Sequence, residues 1–290
     1  MPNQTNETKR SKRVWIVVLL ISVLLLLGGI AAFILMNPWW KKPLDPSQYH
    51  TQTPSLSTPV ISTESQATTQ PVSSAPASTA ATETTEPLPD NPVDFASLEQ
   101  VNPDIYAWIY FPMEPHRKDI DLPILQPRIE DDDNFYLHKD LNRKYLFAGS
   151  LYTQKANAKD FSDRVTVIYG HNMLNQTMFS NLVYLRDSKV FDEHEFFFIY
   201  TPGHILTYRI AAAIQFDTRH LLNCFDFSDD QVFEDWIQNY ILAPKTMIRG
   251  VRKDVEVTTE DKLVILSTCL EHGKYRYLVQ GVLISDEPTN

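Results

Sequence analysis

The chain has 290 residues, of which 43% are apolar, and its formal net charge at pH 7 is −10. This composition excludes a disordered protein and a coiled coil, and two cysteines are too few for a disulfide scaffold. Nucleic-acid binding requires a basic surface. The chain beyond residue 45 is acidic, so we predict no nucleic-acid partner.

The N-terminal part of the chain predicts a membrane anchor. Residues 1–13 are basic, and residues 14–36 contain no charged side chain. A helix of about 23 residues, rising about 1.5 Å per residue, can cross the roughly 30 Å hydrocarbon core of a bilayer. The basic cluster before it predicts a single-pass protein of the cell membrane, with a cytoplasmic N-terminus and an extracellular remainder. A cleaved signal peptide is the alternative.

Residues 37–92 are predicted to be an extracellular linker. From residue 46 onwards the segment is dominated by Ser, Thr and Pro and contains no Lys or Arg. Such a composition cannot bury enough apolar surface to offset the entropy of ordering, and frequent Pro keeps the chain extended. We therefore expect a spacer that holds a catalytic domain, residues 93–290, away from the membrane.

The sequence of residues 93–290 indicates a mainly β domain. A short helix is predicted over Phe95–Val101, and an aromatic strand follows over Trp108–Phe111. Apolar or alternating runs predict further strands at Leu122–Leu125, Gly149–Thr153, Arg164–Tyr169, Glu195–Tyr200, Leu206–Phe216, Lys262–Cys269 and Tyr275–Ser285. Many short strands with little helix predict a β-barrel or a sandwich with short helices at its edges.

Two local signals refine this pattern. The pair Pro202-Gly203 between two predicted strands indicates a hairpin turn. The segment Ser228–Gln231 has the form of a capping box, and apolar residues then recur at helical spacing. An amphipathic helix of about 14 residues is therefore predicted over 228–242, between two late strands.

Cys269 is the candidate nucleophile. It ends a continuous apolar run that is typical of a buried strand, so its thiol is expected where a rigid strand meets a loop. If this strand pairs antiparallel with the next one, Arg276 falls opposite Cys269. A guanidinium beside a thiol favours the thiolate and offers donors to a developing oxyanion. The alternatives are an inert buried cysteine and a solvated arginine, and Cys224 is interpreted as a bystander thiol.

His171 is the candidate acid–base residue. It follows the predicted strand Arg164–Tyr169, and the small Gly170 leaves room for close approach. Histidine is the usual partner of a nucleophilic cysteine because its proton affinity is poised near neutral pH. His272, three residues after the cysteine, competes for this role, and a structural loop histidine is the other alternative.

These residues resemble the His, Cys and Arg signature of sortases, the cysteine transpeptidases of Gram-positive cell surfaces, and further segments of the domain resemble class B sortases. The motifs that carry the resemblance are Ile168–Met173 (IYGHNM), Leu266–Cys269 (LSTC) and Arg276. The likeness covers essentially all of residues 93–290 and includes the segments Asn134–Leu137, Gly149–Tyr152 and Met178–Leu182. Two features depart from the family pattern: Ile265 replaces a typical Thr, and the connection from Cys269 to Arg276 is short.

The resemblance implies an eight-stranded β-barrel and an acyl transfer in two steps. Cys269 would attack the carbonyl of a threonine in a C-terminal sorting signal, and an amine would then resolve the thioacyl enzyme. His171 would act as general acid and then as general base, and Arg276 would hold the oxyanion or the substrate backbone. The resemblance also implies that Ser267 lines the groove for the sorting signal, and Thr268 beside the nucleophile is a candidate donor to the oxyanion. The predicted substrate-binding set is completed by Asn172 and by Glu271, which stands where some relatives carry an aspartate.

The implied partners are surface proteins or pilins with a C-terminal sorting signal, and the acceptor is a peptidoglycan precursor or the lysine of a pilin. Wall anchoring through a signal like Asn-Pro-Gln-Thr-Asn and pilus polymerisation both stay open. An inactive extracellular peptide-binding module and a secreted cysteine hydrolase are further alternatives. The sequence contains no phosphate-binding loop, cofactor motif or metal-ligand spacing, and the acidic run Glu130–Asp133 is interpreted as a solvated loop. No cofactor and no metal are predicted.

Overall fold

The computed structural model describes residue 15 and residues 17–30, 46–51 and 88–290. The predicted membrane helix over residues 14–36 and the predicted linker over residues 37–92 therefore lie partly outside the described residues. Residues 17–30 are helical. Within the described ranges, no helix is both long enough and apolar enough to span a membrane.

The described part of the chain is organised around one β-sheet. Its strands are β1 Ile105–Phe111, β2 Ile120–Leu125, β3 Leu151–Tyr152, β4 Val165–Tyr169, β5 Phe196–Thr201, β6 His204–Phe216, β7 Arg249–Val251, β8 Leu263–Leu270 and β9 Tyr275–Pro288. The order across the sheet is β5-β1-β2-β3-β4-β8-β9-β6-β7, and β5 also pairs with β6. This last pairing closes eight strands into a barrel, and β7 extends the sheet beside β6. The prediction of an eight-stranded barrel is confirmed.

Short helices lie between the strands. The α-helices are Phe95–Val101, Ser188–Glu193, Leu221–Cys224 and Asp230–Trp236; the last continues as a π-helix, Ile237–Leu242. The 3₁₀ helices are Pro46–Tyr49, Phe135–His138, Ser180–Arg186 and Glu271–Gly273. The predicted helix Phe95–Val101 and the Pro202-Gly203 hairpin turn between β5 and β6 are both confirmed. The short β7, which contains Arg and Gly, was not predicted.

Strand β8 is buried on both faces, as its continuous apolar run predicts. Val264 and Leu266 belong to the cluster inside the barrel, whereas Leu263 and Ile265 belong to a second cluster on the outer face. Because side chains alternate along a strand, Cys269 points to the same outer face as Ile265. The fold therefore places the thiol outside the barrel, at the open end of this second cluster.

The predicted amphipathic helix covers the outer face of the barrel. Its N-cap is Asp229, whose side chain accepts hydrogen bonds from Gln231 N and Val232 N. The N-cap predicted at Ser228 is therefore wrong by one residue. The buried Trp236 donates from Nε1 to Gln280 Oε1 at 2.8 Å, and Gln280 Nε2 donates to the Tyr240 carbonyl at 2.7 Å. These two bonds fix the helix on β9.

Residues 46–51 lie within the predicted linker but pack on the barrel. The rings of Tyr49 and His50 contact the ring of Trp108, at centroid distances of 6.2 Å and 5.5 Å. His50 Nε2 is 2.9 Å from Asp121 Oδ1, and Thr51 N donates to the Pro92 carbonyl at 2.8 Å. A short aromatic segment inside a polar stretch thus covers one side of the barrel, which composition alone does not reveal.

Candidate active site

The end of β8 and the start of β9 bring a thiol and a guanidinium together. The two strands pair antiparallel, with Cys269 directly opposite Arg276. This confirms the pairing predicted from the spacing. Cys269 is partly exposed, and both it and Cys224 are free thiols. Residues directly opposite on one face of an antiparallel pair have Cβ atoms about 5 Å apart, so both side chains leave the same face of the sheet. Arg276 Nη1 donates to the Gly273 carbonyl at 3.2 Å.

The parallel pairing of β4 with β8 brings His171 to the same end of the sheet. Tyr169 is in register with Ser267, so two residues further on His171 comes level with Cys269. Neighbouring strands are about 4.8 Å apart. The backbone hydrogen bond from Gly170 N to the Ser267 carbonyl, at 3.1 Å, extends the strand pairing towards the site.

Two side-chain hydrogen bonds hold these strand ends in place. Thr268 Oγ1 donates to the Gly170 carbonyl at 2.7 Å. Asn172 Nδ2 donates to the Cys269 carbonyl at 2.9 Å. The first bond joins the neighbour of Cys269 to the backbone of the residue before His171. The second joins the neighbour of His171 to the backbone of Cys269. The relative position of Cys269 and His171 is therefore fixed by both side chains.

The His171 imidazole has a defined tautomer because its partner is a backbone carbonyl. Its Nε2 lies 3.0 Å from the Leu137 oxygen, which can only accept, so Nε2 carries the proton and donates. Nδ1 is left as the nitrogen that can accept a proton. Burial lowers the pKa of His171, and the nearby His138 lowers it further, against the effect of the Leu137 bond. The resting imidazole is therefore neutral near pH 7.

The candidate residues meet in one cavity of about 290 Å³. The predicted site residues in its lining are His171, Ser267, Thr268, Cys269 and Arg276. Asn172 and Glu271 are not part of the lining. Glu271 is exposed in the turn between β8 and β9, where its φ of 49° places it in the left-handed region. The hydrogen-bond partner of the His171 ring among the described residues is the Leu137 carbonyl.

His272, the competing candidate for the acid–base role, lies in the same turn as Glu271. It is exposed, has a φ of 55°, and is absent from the cavity lining. The structure therefore favours His171. Within the described residues, no group of three or more His, Cys, Asp and Glu side chains is arranged to hold a metal ion.

Several lining residues were not identified as site residues from the sequence. Tyr152 and Tyr169 stand on β3 and β4, and His220 precedes the helix Leu221–Cys224. Burial, opposed in part by the charge of Arg276, raises the pKa of both tyrosines, so their hydroxyl groups stay protonated. The segment Asn134–Leu137 carries part of the resemblance, but no residue pattern indicates that its last carbonyl accepts from His171.

The sequence is similar to curated sortases. It is 28% identical to sortase B of Listeria monocytogenes over 196 residues, which are 66% of this chain and 74% of that protein. It is also 28% identical to sortase B of Staphylococcus aureus over 176 residues, which are 60% of this chain and 67% of that protein. No protein-family model matches the sequence.

The fold is similar to solved sortase B structures. The X-ray structure of Clostridium perfringens sortase B superposes with a TM-score of 0.55 at 25% identity, covering 66% of this chain and all of that one (100%). Sortase B from Listeria monocytogenes gives a TM-score of 0.53 at 28% identity, again with 66% and 100% coverage. Sequence and fold thus point to the same group of proteins.

Proposed function

We propose that this chain, which the comparisons identify as a homologue of the class B sortases, is a membrane-anchored cysteine transpeptidase acting on C-terminal sorting signals. The observation that carries the proposal is that Cys269, His171 and Arg276 enter one cavity from three strand ends. A thiol, an imidazole and a guanidinium on separate rigid strands supply a nucleophile, an acid–base group and an oxyanion partner.

In the first step, Cys269 loses its proton to His171 Nδ1 and its sulfur attacks the carbonyl carbon of the threonine at the cleavage site. Negative charge moves to the carbonyl oxygen, where the guanidinium of Arg276 supplies N–H donors. The C–N bond then breaks as His171 gives its proton to the leaving amine. The peptide beyond the threonine departs, and the remainder stays on Cys269 as a thioester.

In the second step, an amine from a cell-wall precursor attacks the thioester carbonyl. His171 Nδ1 accepts a proton from this amine, the C–S bond breaks, and His171 returns the proton to the departing Cys269 sulfur, which restores the thiol and the neutral imidazole. The product is a new amide between the threonine and the acceptor. Water in place of the amine would give hydrolysis, so the transfer depends on the acceptor reaching the thioester first.

The cavity offers polar groups that a peptide can bind. Among the described residues, Tyr169 Oη and His220 Nδ1 are buried and have no hydrogen-bond partner, and both residues line the cavity. Buried polar groups are normally paired. These two atoms are therefore suited to bind polar groups of an extended sorting signal beside Ser267 and Cys269.

Membrane anchoring and an extracellular location are part of the proposal. They are supported by the uncharged sequence of residues 14–36 and by the helical residues 17–30, whose side chains are exposed. Leu24 and Leu25, for example, are 68% and 72% exposed. Such a surface is unfavourable in water and favourable in a bilayer.

The test uses the full-length chain in detergent with a panel of fluorogenic peptides that have threonine at the cleavage site. Mass spectrometry measures the thioacyl adduct on Cys269, with and without an amine acceptor. We expect cleavage by the wild type, an adduct on Cys269 and a change of product when the amine is added. Cys269→Ala is expected to form no adduct, whereas Cys224→Ala should act like the wild type.

Three other outcomes have distinct meanings. Absence of cleavage across the panel, or equal cleavage by Cys269→Ala, would contradict the proposed enzymatic activity of Cys269 and would favour a peptide-binding module. The same product at the same rate with and without amine would indicate a cysteine hydrolase. Faster resolution of the thioester by a pilin lysine than by a wall-precursor amine would indicate a pilus-polymerising sortase.

A further inference from the structure

Two aromatic rings lie nearly parallel to the imidazole of His171. The ring of His138 is 5.1 Å away, between centroids, at an interplanar angle of 26°. The ring of Phe147 is 6.0 Å away at 11°. His138 and Phe147 also stack on each other, at 5.9 Å and 24°. His171 therefore rests against two rings that already support one another.

The ring of His138 is held in place without any help from His171. Its Nδ1 lies 3.1 Å from the Phe147 carbonyl and donates to it. The Tyr145 ring packs against His138 at 6.2 Å, and Lys139 forms a β-bridge with Tyr145. The loop that follows the 3₁₀ segment Phe135–His138 thus contacts this ring through groups other than His171.

Leu137 and His138 are consecutive residues that contact the His171 imidazole in two different ways. The Leu137 carbonyl accepts from Nε2 and fixes the tautomer of His171. The ring of the next residue, His138, stacks on the same imidazole. We propose that His138 is a positioning residue, whose ring keeps the His171 imidazole in the orientation that leaves Nδ1 free for proton transfer. This inference rests on the acid–base role of His171 in the proposed function.

His138 can act on His171 through its ring and also through its charge. A protonated His138 places a positive charge beside His171 and opposes a second one there. The titratable side chains that line the cavity with His171 are Tyr152, Tyr169, Arg219, His220, Cys269 and Arg276. Substituting His138 leaves all of these side chains in place. The effect of its ring and the effect of its charge can therefore be separated by the choice of the side chain that replaces it.

The experiment compares His138→Phe, which keeps a ring without charge, and His138→Ala, which keeps neither. The full chain is assayed in detergent for the rate of thioacyl formation on Cys269. A stacked aromatic pair contributes the equivalent of about two- to tenfold in an equilibrium constant. We expect His138→Ala to lower kcat by about that factor with little change in KM, and His138→Phe to recover most of it.

A control variant, His204→Ala, removes an exposed histidine that pairs with Asp286 at the opposite end of β6. It should keep the wild-type rate. Equal losses in His138→Phe and His138→Ala, or no loss in His138→Ala, would overturn the proposal. A fall in rate that follows a fall in melting temperature in both variants would also overturn it, because it would indicate only a structural role.

A second measurement does not depend on turnover. Proton NMR of the His171 ring reports its titration midpoint and its line width. Loss of the neighbouring charge should raise the midpoint in both variants, and loss of the ring should broaden the resonance only in His138→Ala. If the wild type forms no adduct with any peptide, the proposed function fails while this measurement still decides whether His138 orients His171.

Discussion

The hydroxyl of Thr268 ties the end of β8 to the residue before His171. It donates to the Gly170 carbonyl at 2.7 Å, and Thr268 is only 2% exposed. Thr268→Val keeps the shape of the side chain but removes the donor, which leaves a buried carbonyl without this bond. Loss of one partner of a buried hydrogen bond costs about 1–3 kcal/mol, so the free energy of unfolding should fall by about that amount.

Thr166 on β4 provides a matched control. It is 1% exposed, and its hydroxyl is buried without a hydrogen-bond partner among the described residues. Burying an unpaired hydroxyl is unfavourable by about 1–3 kcal/mol. Thr166→Val removes that unpaired group, so its free energy of unfolding should stay unchanged or rise. The same chemical change is thus expected to have opposite effects at two buried positions.

Urea unfolding followed by tryptophan fluorescence measures both variants against the wild type. Thr268→Val should unfold at a lower urea concentration and should also cleave the sorting peptide more slowly, because Gly170 precedes His171. Thr166→Val should show neither effect. Equal unfolding midpoints for the two variants would refute the assignment of the Thr268 bond as the tie between the strands.

Three further predictions concern the site and its supports. A methyl group at Gly170 would come within 2.6 Å of the Phe179 ring, so Gly170→Ala should cost about 1–3 kcal/mol by overpacking, measured by thermal melting. The hydrogen bond with Asp121 raises the pKa of His50. The free energy of unfolding of the wild type, relative to that of His50→Gln, should therefore be greatest below about pH 6.5, and this difference should be lost as the pH rises through the folded pKa. A difference that grows with pH would contradict this. Burial lowers the pKa of His171, so its ring should titrate below about pH 6.5 by NMR.

The pairing of the thiol and the guanidinium could be predicted because local patterns determine it, whereas those patterns left a barrel or a sandwich open and only the resemblance to class B sortases implied an eight-stranded barrel. The apolar run before Cys269 indicates a strand buried on both faces. A short connection forces the following strand to pair antiparallel, and this places Arg276 opposite the thiol. His171 follows a similar strand, and the small residue before it indicates close packing. The period of the side chains and the length of one loop were sufficient to predict the Cys269–Arg276 pairing, whereas the choice of His171 over His272 rested on the resemblance.

The supports of the site could not be predicted because they depend on contacts between distant segments. The partner of His171 is the carbonyl of Leu137, and a backbone oxygen has no sequence signature. The rings of His138 and Phe147 reach the site from a loop whose path depends on the closed barrel. Tyr49 and His50 pack on the barrel from within a polar segment, where composition predicts no order.

In the proposed mechanism, the neutral partner of His171 affects both steps of the acyl transfer. A carboxylate in that place would favour the imidazolium and raise the pKa of His171. The Leu137 carbonyl raises it only through one hydrogen bond, which burial outweighs. In the proposed first step, the imidazolium that forms when Cys269 loses its proton would therefore be a stronger acid than an exposed one and would readily protonate the leaving amine. In the second step the same nitrogen is a weaker base, so the reaction depends on holding the acceptor amine close to Nδ1.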